Sequence, residues 1–287
     1  MGHELINVIY ASQVAEALGL ELIGENLPIS SVTPLSQVAD GSICFSKSEH
    51  PEPINVKCVV IAQSAEICSA PAVLIAENPR LVFAKVLDFL DREVGFRRPV
   101  HSAIVDTTAR VSPHAVLGLG VVIGPNTVVN HFVVIGDGVR IGKGCVIKSG
   151  AVIGEDGFGF ERDHQGLPIR LVHLGSVYIG DHVEIGSLTT VCRGTLDDTV
   201  IRDFAKIDDH VHIAHNCLIG TGAMVVACAE VSGGVVLGNG AWVGPNASII
   251  QQRTIGANSL IGIGSNVLRD VPDGVTVAGN PARSLSK

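Results

Sequence analysis

The segment DDHVHIAHNCLIG, from Asp208 to Gly220, places three imidazoles within six residues, at His210, His212 and His215. A neutral imidazole serves well as a general base near pH 7, because its ordinary pKa lies close to that value. It is also a common zinc ligand, and a catalytic zinc site takes three protein ligands with one position open. His210 and His215 stand five residues apart, and His182, or a His212 from another chain, is available as a third nitrogen. The segment thus admits a base, a metal centre, or histidines that only decorate a strand. The element that carries them decides between these.

That element is set by a period of six. An apolar residue recurs at Val105, Val111, Leu117, Ile123, Val129, Ile135, Ile141, Ile147 and Ile153. The series breaks at GEDGFGFERDHQGLPIRLVHLGSVY and resumes at Ile179, Ile185 and Val191. It slips by four residues through GTLDDT, then runs without interruption from Ile201 to Val267. Amphipathic helices repeat near 3.6 residues and strands near 2, so neither sustains a six. A hexapeptide parallel β-helix does, with one short strand and one turn per hexad. Gly often follows the apolar residue, as in IGPNTV and IGKGCV, and Gly or Asn serves the turn, where positive φ is cheap. The residues that break the period must leave the coil, so 154–178 is expected to be an extruded loop. Loops on a rigid scaffold often touch substrate, and Phe158 and Phe160 stand out in a chain only 4% aromatic.

The 287 residues carry a net charge of −8 without a basic cluster, which argues against nucleic acid as a partner. Seven scattered cysteines without CxxC spacing, behind an N-terminus with no secretory pattern, predict reduced, mostly buried thiols in a cytoplasmic protein. No apolar run approaches the length of a membrane span. Residues 1–98 lack the period. ASQVAEALGL predicts a short helix, and NPRLVFAKVLDFLDREV a longer one with Asn78 as N-cap and Pro79 in its first turn. CVVIA and PAVLIA predict buried strands. The fold class is therefore mainly β: a small α/β domain over 1–98, a β-helix over 99–272, and a C-terminal tail over 273–287.

The segments ISSVTPLSQVADGSICF, NPRLVFAKVLDFL, IGEDGFGF, VYIGDHVEIGSLTTVCRGTLDDTVI and IDDHVHIAHNCLIG resemble, in the same order, the UDP-3-O-acylglucosamine N-acyltransferases of lipid A synthesis. The resemblance implies a left-handed β-helix, a homotrimer with active sites between neighbouring prisms, and an N-terminal domain that binds the nucleotide. It also implies transfer of an acyl group from a phosphopantetheine thioester to a sugar amine, with no metal. The family's base falls on His215 and its orienting carboxylate on Asp208. Asp156, Phe158, Phe160 and Asn216 fall among the substrate contacts. Two other readings stay open: a zinc-dependent hydratase like the carbonic anhydrases built on a left-handed β-helix, and a non-catalytic hexapeptide scaffold.

Three departures bear on the substrate. Phe45 matches the Phe of the family's uracil sandwich, but the companion positions fall near Ser48 and Pro51, so either His50 substitutes as a stacking face or the nucleotide is held differently. A family His two coils beyond IAHN is replaced by Gln252. The end of the chain, VPDGVTVAGNPARSLSK, is similar to acetyl-CoA-dependent sugar acetyltransferases, and Asn280 and Arg283 are candidate coenzyme contacts. The donor is expected to be an acyl-CoA, acetyl-CoA favoured, or an acyl carrier protein. The acceptor is expected to be a nucleotide-linked amino sugar.

Overall fold

The period of six closes into a parallel β-helix. In the computed structural model, which describes residues 2–47, 54–66 and 68–285, Val122–Ile123 pairs with Arg140–Ile141, one coil of eighteen residues on. Val128–Val129 pairs likewise with Val146–Ile147, and Val134–Ile135 with Val152–Ile153. These pairs belong to three parallel sheets, here called first, second and third. Each corner takes the number of the sheet that precedes it.

Two residues per hexad point inward, one more than the period reveals. Ile123, Ile141, Ile179 and Ile201 form one buried ladder, and the residue two places earlier is buried too, at Val121, Val139, Val177 and Thr199. That second position takes small side chains because the corner is tight. Where it is Thr127 or Thr189, the hydroxyl donates to a turn carbonyl, Gly142 at 2.7 Å or Asp208 at 2.6 Å, so its burial is compensated.

The left-handed turn positions differ from expectation. Gly and Asn hold many of them, but Phe132, His182, Leu188, Phe204, His210, Cys228 and Gln252 also adopt φ between 57° and 62°. Such side chains cost of order 1–3 kcal/mol each in this conformation. Stacking along the corners returns part of it: His182 lies on Phe204 at 5.2 Å and His114 on Phe132 at 5.7 Å.

Two coils are longer than eighteen residues. Ile141 pairs with Ile179, and Ile179 with Ile201, so these coils run 38 and 22 residues. Both excesses leave at the third corner, after Val152–Ile153 and after Thr190–Val191. The first is the loop expected from the sequence, but its middle does not belong to the solenoid. The chain divides into Met1–Arg98 with Gly159–Leu174, and Pro99–Phe158 with Gly175–Lys287. The solenoid also outlasts the expected boundary at 272, because Thr276–Ala278 continues the second sheet beside Leu260–Ile261. Arg283–Ser284 then folds back antiparallel on it.

The first unit holds a six-stranded sheet in the order His3–Tyr10, Pro28–Val32, Ser42–Phe45, Val59–Ala62, Ala72–Ile75, Glu21–Gly24. The inner four strands run parallel and both edge strands antiparallel. Helix α1 spans Ala11–Leu18 and α2 spans Pro79–Glu93, with Asn78 Oδ1 accepting from the Leu81 N–H at 3.1 Å. The edge strands carry no strict alternation of apolar residues, so the sequence pattern passes over them. Phe160–Arg162 and Pro168–Arg170 form a hairpin beside α2, joined to it by an Arg80–Glu161 ion pair at 2.7 Å. That contact explains why 159–174 leaves the coil.

Six of the seven cysteines are buried and Cys228 is exposed. Burial pushes the Cys58 and Cys192 thiols up to about 11 and Cys217 to about 12, so they stay protonated and unreactive at neutral pH. Maleimide labelling of the native protein at pH 7 is therefore expected to modify Cys228 alone, read by intact-mass spectrometry and peptide mapping. A second thiol labelled as fast would contradict this burial. Among the described residues, no helix is long and apolar enough to cross a membrane.

Candidate active site

Strand His212–Ile213 lies in the third sheet between Thr190–Val191 and Glu230–Val231. Ile213 points into the prism, so His212 points out, and the chain turns at the third corner through Ala214, His215, Asn216 and Cys217. The His215 ring lies against Gly233 on the next coil. A Cβ there would stand 2.7 Å from Cε1 and 2.8 Å from Nε2, so a side chain at 233 would displace the imidazole.

Asn216 adopts φ 60°, and its side chain meets His215, with Oδ1 3.0 Å from Nδ1. The long turn above it supplies the rest of its partners. Asn216 Oδ1 accepts from the Thr195 N–H at 3.1 Å and the Thr195 hydroxyl at 3.0 Å. Asn216 Nδ2 donates to the Asp197 carbonyl at 3.0 Å, and its backbone N–H to Thr199 Oγ1 at 2.9 Å. Arg193 holds the base of the loop on the same corner. Its Nε donates to the Gly154 carbonyl at 2.7 Å and stands 3.8 Å from Asp156.

His212 is part-buried, with Nδ1 2.7 Å from Thr190 Oγ1. Burial holds it below the ordinary histidine range and the charge of His215 adds to this, while the Glu230 carboxylate opposes it. Glu230 in turn accepts from Ser232 Oγ, at 2.8 and 3.1 Å to its two oxygens. His212 thus belongs to the surroundings of His215.

The other expected site residues are distributed as follows. Asp208 lies on the second corner, one corner before His215, and its Oδ2 accepts from the Ala227 N–H at 3.2 Å. Within one chain, the group on His215 Nδ1 is therefore Asn216 and the carboxylate sits across the width of a sheet. Gln252 is exposed on the third corner, two coils beyond Asn216. Asp156 and Phe158 are exposed where the loop leaves the solenoid. In the first unit, Phe160 lies under the Arg170 guanidinium at 4.8 Å, and Phe45 packs on Phe83 at 4.8 Å with Lys47 Nζ 6.0 Å from its ring. His50, with Ser48 and Pro51, lies outside the described residues. Asn280 and Arg283 are exposed at the closing hairpin.

As to metal ligands, His182, His210 and His215 occupy the first, second and third corners. Among the described residues, no three His, Cys, Asp or Glu side chains gather as a metal site.

Residues 120–155 match the bacterial transferase hexapeptide family of six repeats. Two solved acyltransferases share the fold. The UDP-N-acetylglucosamine O-acyltransferase of Moraxella catarrhalis is 28% identical, with a TM-score of 0.51 over 64% of this chain and 72% of that one. The Francisella novicida UDP-N-acetylglucosamine acyltransferase is also 28% identical, with a TM-score of 0.52 over 64% and 67%. Fold and site thus define an acyltransferase of the hexapeptide-repeat class.

Closer relatives narrow this. UDP-3-O-acylglucosamine N-acyltransferase of Delftia acidovorans is 34% identical over 84% of this chain and 77% of the relative. Those of Methylobacillus flagellatus and Coxiella burnetii are 36% and 32% identical, over 78% and 77% of this chain and 73% and 74% of the relatives. The chain belongs to the UDP-3-O-acylglucosamine N-acyltransferase family.

Proposed function

We propose that the protein moves an acyl group from a phosphopantetheine thioester to the amine of a UDP-linked, 3-O-acylated glucosamine in lipid A biosynthesis, with His215 Nε2 as general base. The observation that carries the role of His215 is the orientation of its ring, with Nδ1 on Asn216 Oδ1. The amine nitrogen attacks the thioester carbonyl carbon while Nε2 takes an amine proton. The tetrahedral intermediate collapses, the C–S bond breaks, and the imidazolium returns the proton to the departing thiolate.

In the trimer that the family resemblance implies, Asp208 reaches this chemistry from a neighbouring chain, because it stands on the second corner and His215 on the third. Phe45 is a platform for the nucleotide base, and Asp156, Phe158, Phe160 and Gln252 are contacts to the acceptor. Acyl-CoA is the favoured donor, acetyl-CoA first: Arg283 stands exposed on the closing hairpin, and a guanidinium there pairs well with a coenzyme phosphate.

A donor-by-acceptor matrix analysed by mass spectrometry tests the reading. It pairs acetyl-CoA or a hydroxyacyl carrier protein with UDP-glucosamine or its 3-O-acylated form. An N-acylated product from the 3-O-acylated sugar is expected. Product from the carrier protein alone would overturn the CoA assignment and keep the acceptor. Product only from the unacylated sugar would overturn the acceptor.

A further inference from the structure

We infer that the four-residue excess at the turn after Thr190–Val191 is a tautomer lock for His215, in which Thr195 and Asp197 act as positioning residues through Asn216. This rests on the reading of His215 as the base and adds how its proton is placed. An amide keeps its shape when turned end for end, so its other partners fix which end faces the imidazole. Here they leave one choice. The Thr195 backbone N–H can only donate, and it faces one end of the Asn216 amide. The Asp197 backbone carbonyl can only accept, and it faces the other. The first end is therefore Oδ1 and the second Nδ2. Oδ1 is also the atom 3.0 Å from His215 Nδ1, so that ring nitrogen must carry the proton. The lone pair is then on Nε2, on the edge of the ring that lies with Cε1 against Gly233.

The extra length exists for this contact. A regular third-corner turn has four residues between strands, as at 214–217 or 232–235. The turn after Val191 has seven before Thr199–Ile201 begins, and the additional chain carries Thr195 and Asp197 onto Asn216. It is clamped from outside by the returning loop. Ser176 N donates to Asp198 Oδ1 at 2.7 Å, Gly175 N to the Thr195 carbonyl at 3.1 Å, and Thr199 N to the Ser176 carbonyl at 3.0 Å. Gly194 makes the bend possible: a Cβ there would fall 1.6 Å from the Asp197 carbonyl oxygen and 3.0 Å from Asn216 Nδ2. Both departures from the repeat thus converge on one amide and, through it, on one proton.

The test is nitrogen-15 NMR of the full-length protein with histidine labelled at the ring nitrogens, assigned by comparison with His215→Ala. Wild type is expected to show a protonated Nδ1 and an unprotonated Nε2 for the neutral ring of His215. Asn216→Gly keeps a backbone suited to φ 60° and deletes only the side chain. It is expected to populate both tautomers and to lower kcat about tenfold or more, with the acceptor KM unchanged. Asn216→Asp keeps an acceptor on Nδ1 and is expected to retain the wild-type tautomer. A wild-type Nε2–H tautomer, or an unchanged tautomer in Asn216→Gly, would overturn the lock while leaving His215 as base. Full activity in His215→Ala would instead overturn the base.

Discussion

His215→Ala is expected to lower kcat by on the order of 10² or more, the usual loss when a general base is removed, with the fold and the acceptor KM close to wild type. The fold should survive because His215 is not part of the core. The turn is fixed by the inward Ile213 and Cys217 on either side and by backbone bonds such as Gly234 N to the His215 carbonyl at 2.9 Å, none of which needs the imidazole. The rate should fall because a neutral amine adding to a thioester carbonyl must shed a proton, and the oriented Nε2 is the group proposed to take it. Initial rates against acceptor concentration, with circular dichroism on the same samples, check both halves. A kcat near wild type would remove His215 from the mechanism. A raised KM with unchanged kcat would make it a binding residue instead.

The solenoid was legible because its cause is periodic. A coil that turns at every sixth residue must bury a branched side chain at that spacing, so Ile123 through Val267 announce it. Both interruptions were legible for the same reason, since residues that do not fit the coil have to leave it. Their purpose was not legible. That the four-residue slip lies over Asn216 follows from the stacking of coils, which brings Val191 beside Ile213 on the lengthened one, but the slip itself shows only missing phase. The same stacking separates Asp208 from His215: seven residues are close in sequence, yet more than one hexad carries the chain round to the next corner. Linear spacing is a poor guide to contact here, because neighbours in space stand eighteen residues apart. The role of His212 was hidden differently. Its outward position was evident from Ile213 beside it, but its partial burial between Thr190 and Glu230 depends on the residues one coil away on each side. The middle of the loop joined the first unit through Arg80 and Glu161, a pairing between distant segments that no local pattern marks.

Stacking also makes stability depend on place. Ile207 is buried in the middle of the second-sheet ladder, with Ile185 on one side and Val225 on the other. Ile207→Ala is expected to cost about 2–5 kcal/mol, because the coils above and below hold the cavity open. Val111 occupies the corresponding position in the first coil, where it is half-buried and has one rung, Val129, beside it. Val111→Ala is expected to cost less than about 1 kcal/mol, since few packed atoms surround the lost methyls and an end rung can relax. Urea unfolding of the two variants and wild type at equal protein concentration measures the difference. Equal losses would mean that the solenoid unfolds as a single block whose stability is indifferent to rung position. A larger loss at Ile207 would show that each rung is held chiefly by its two neighbours, so that the central coils around His215 are the most rigid part of the protein and the end coil the first to open.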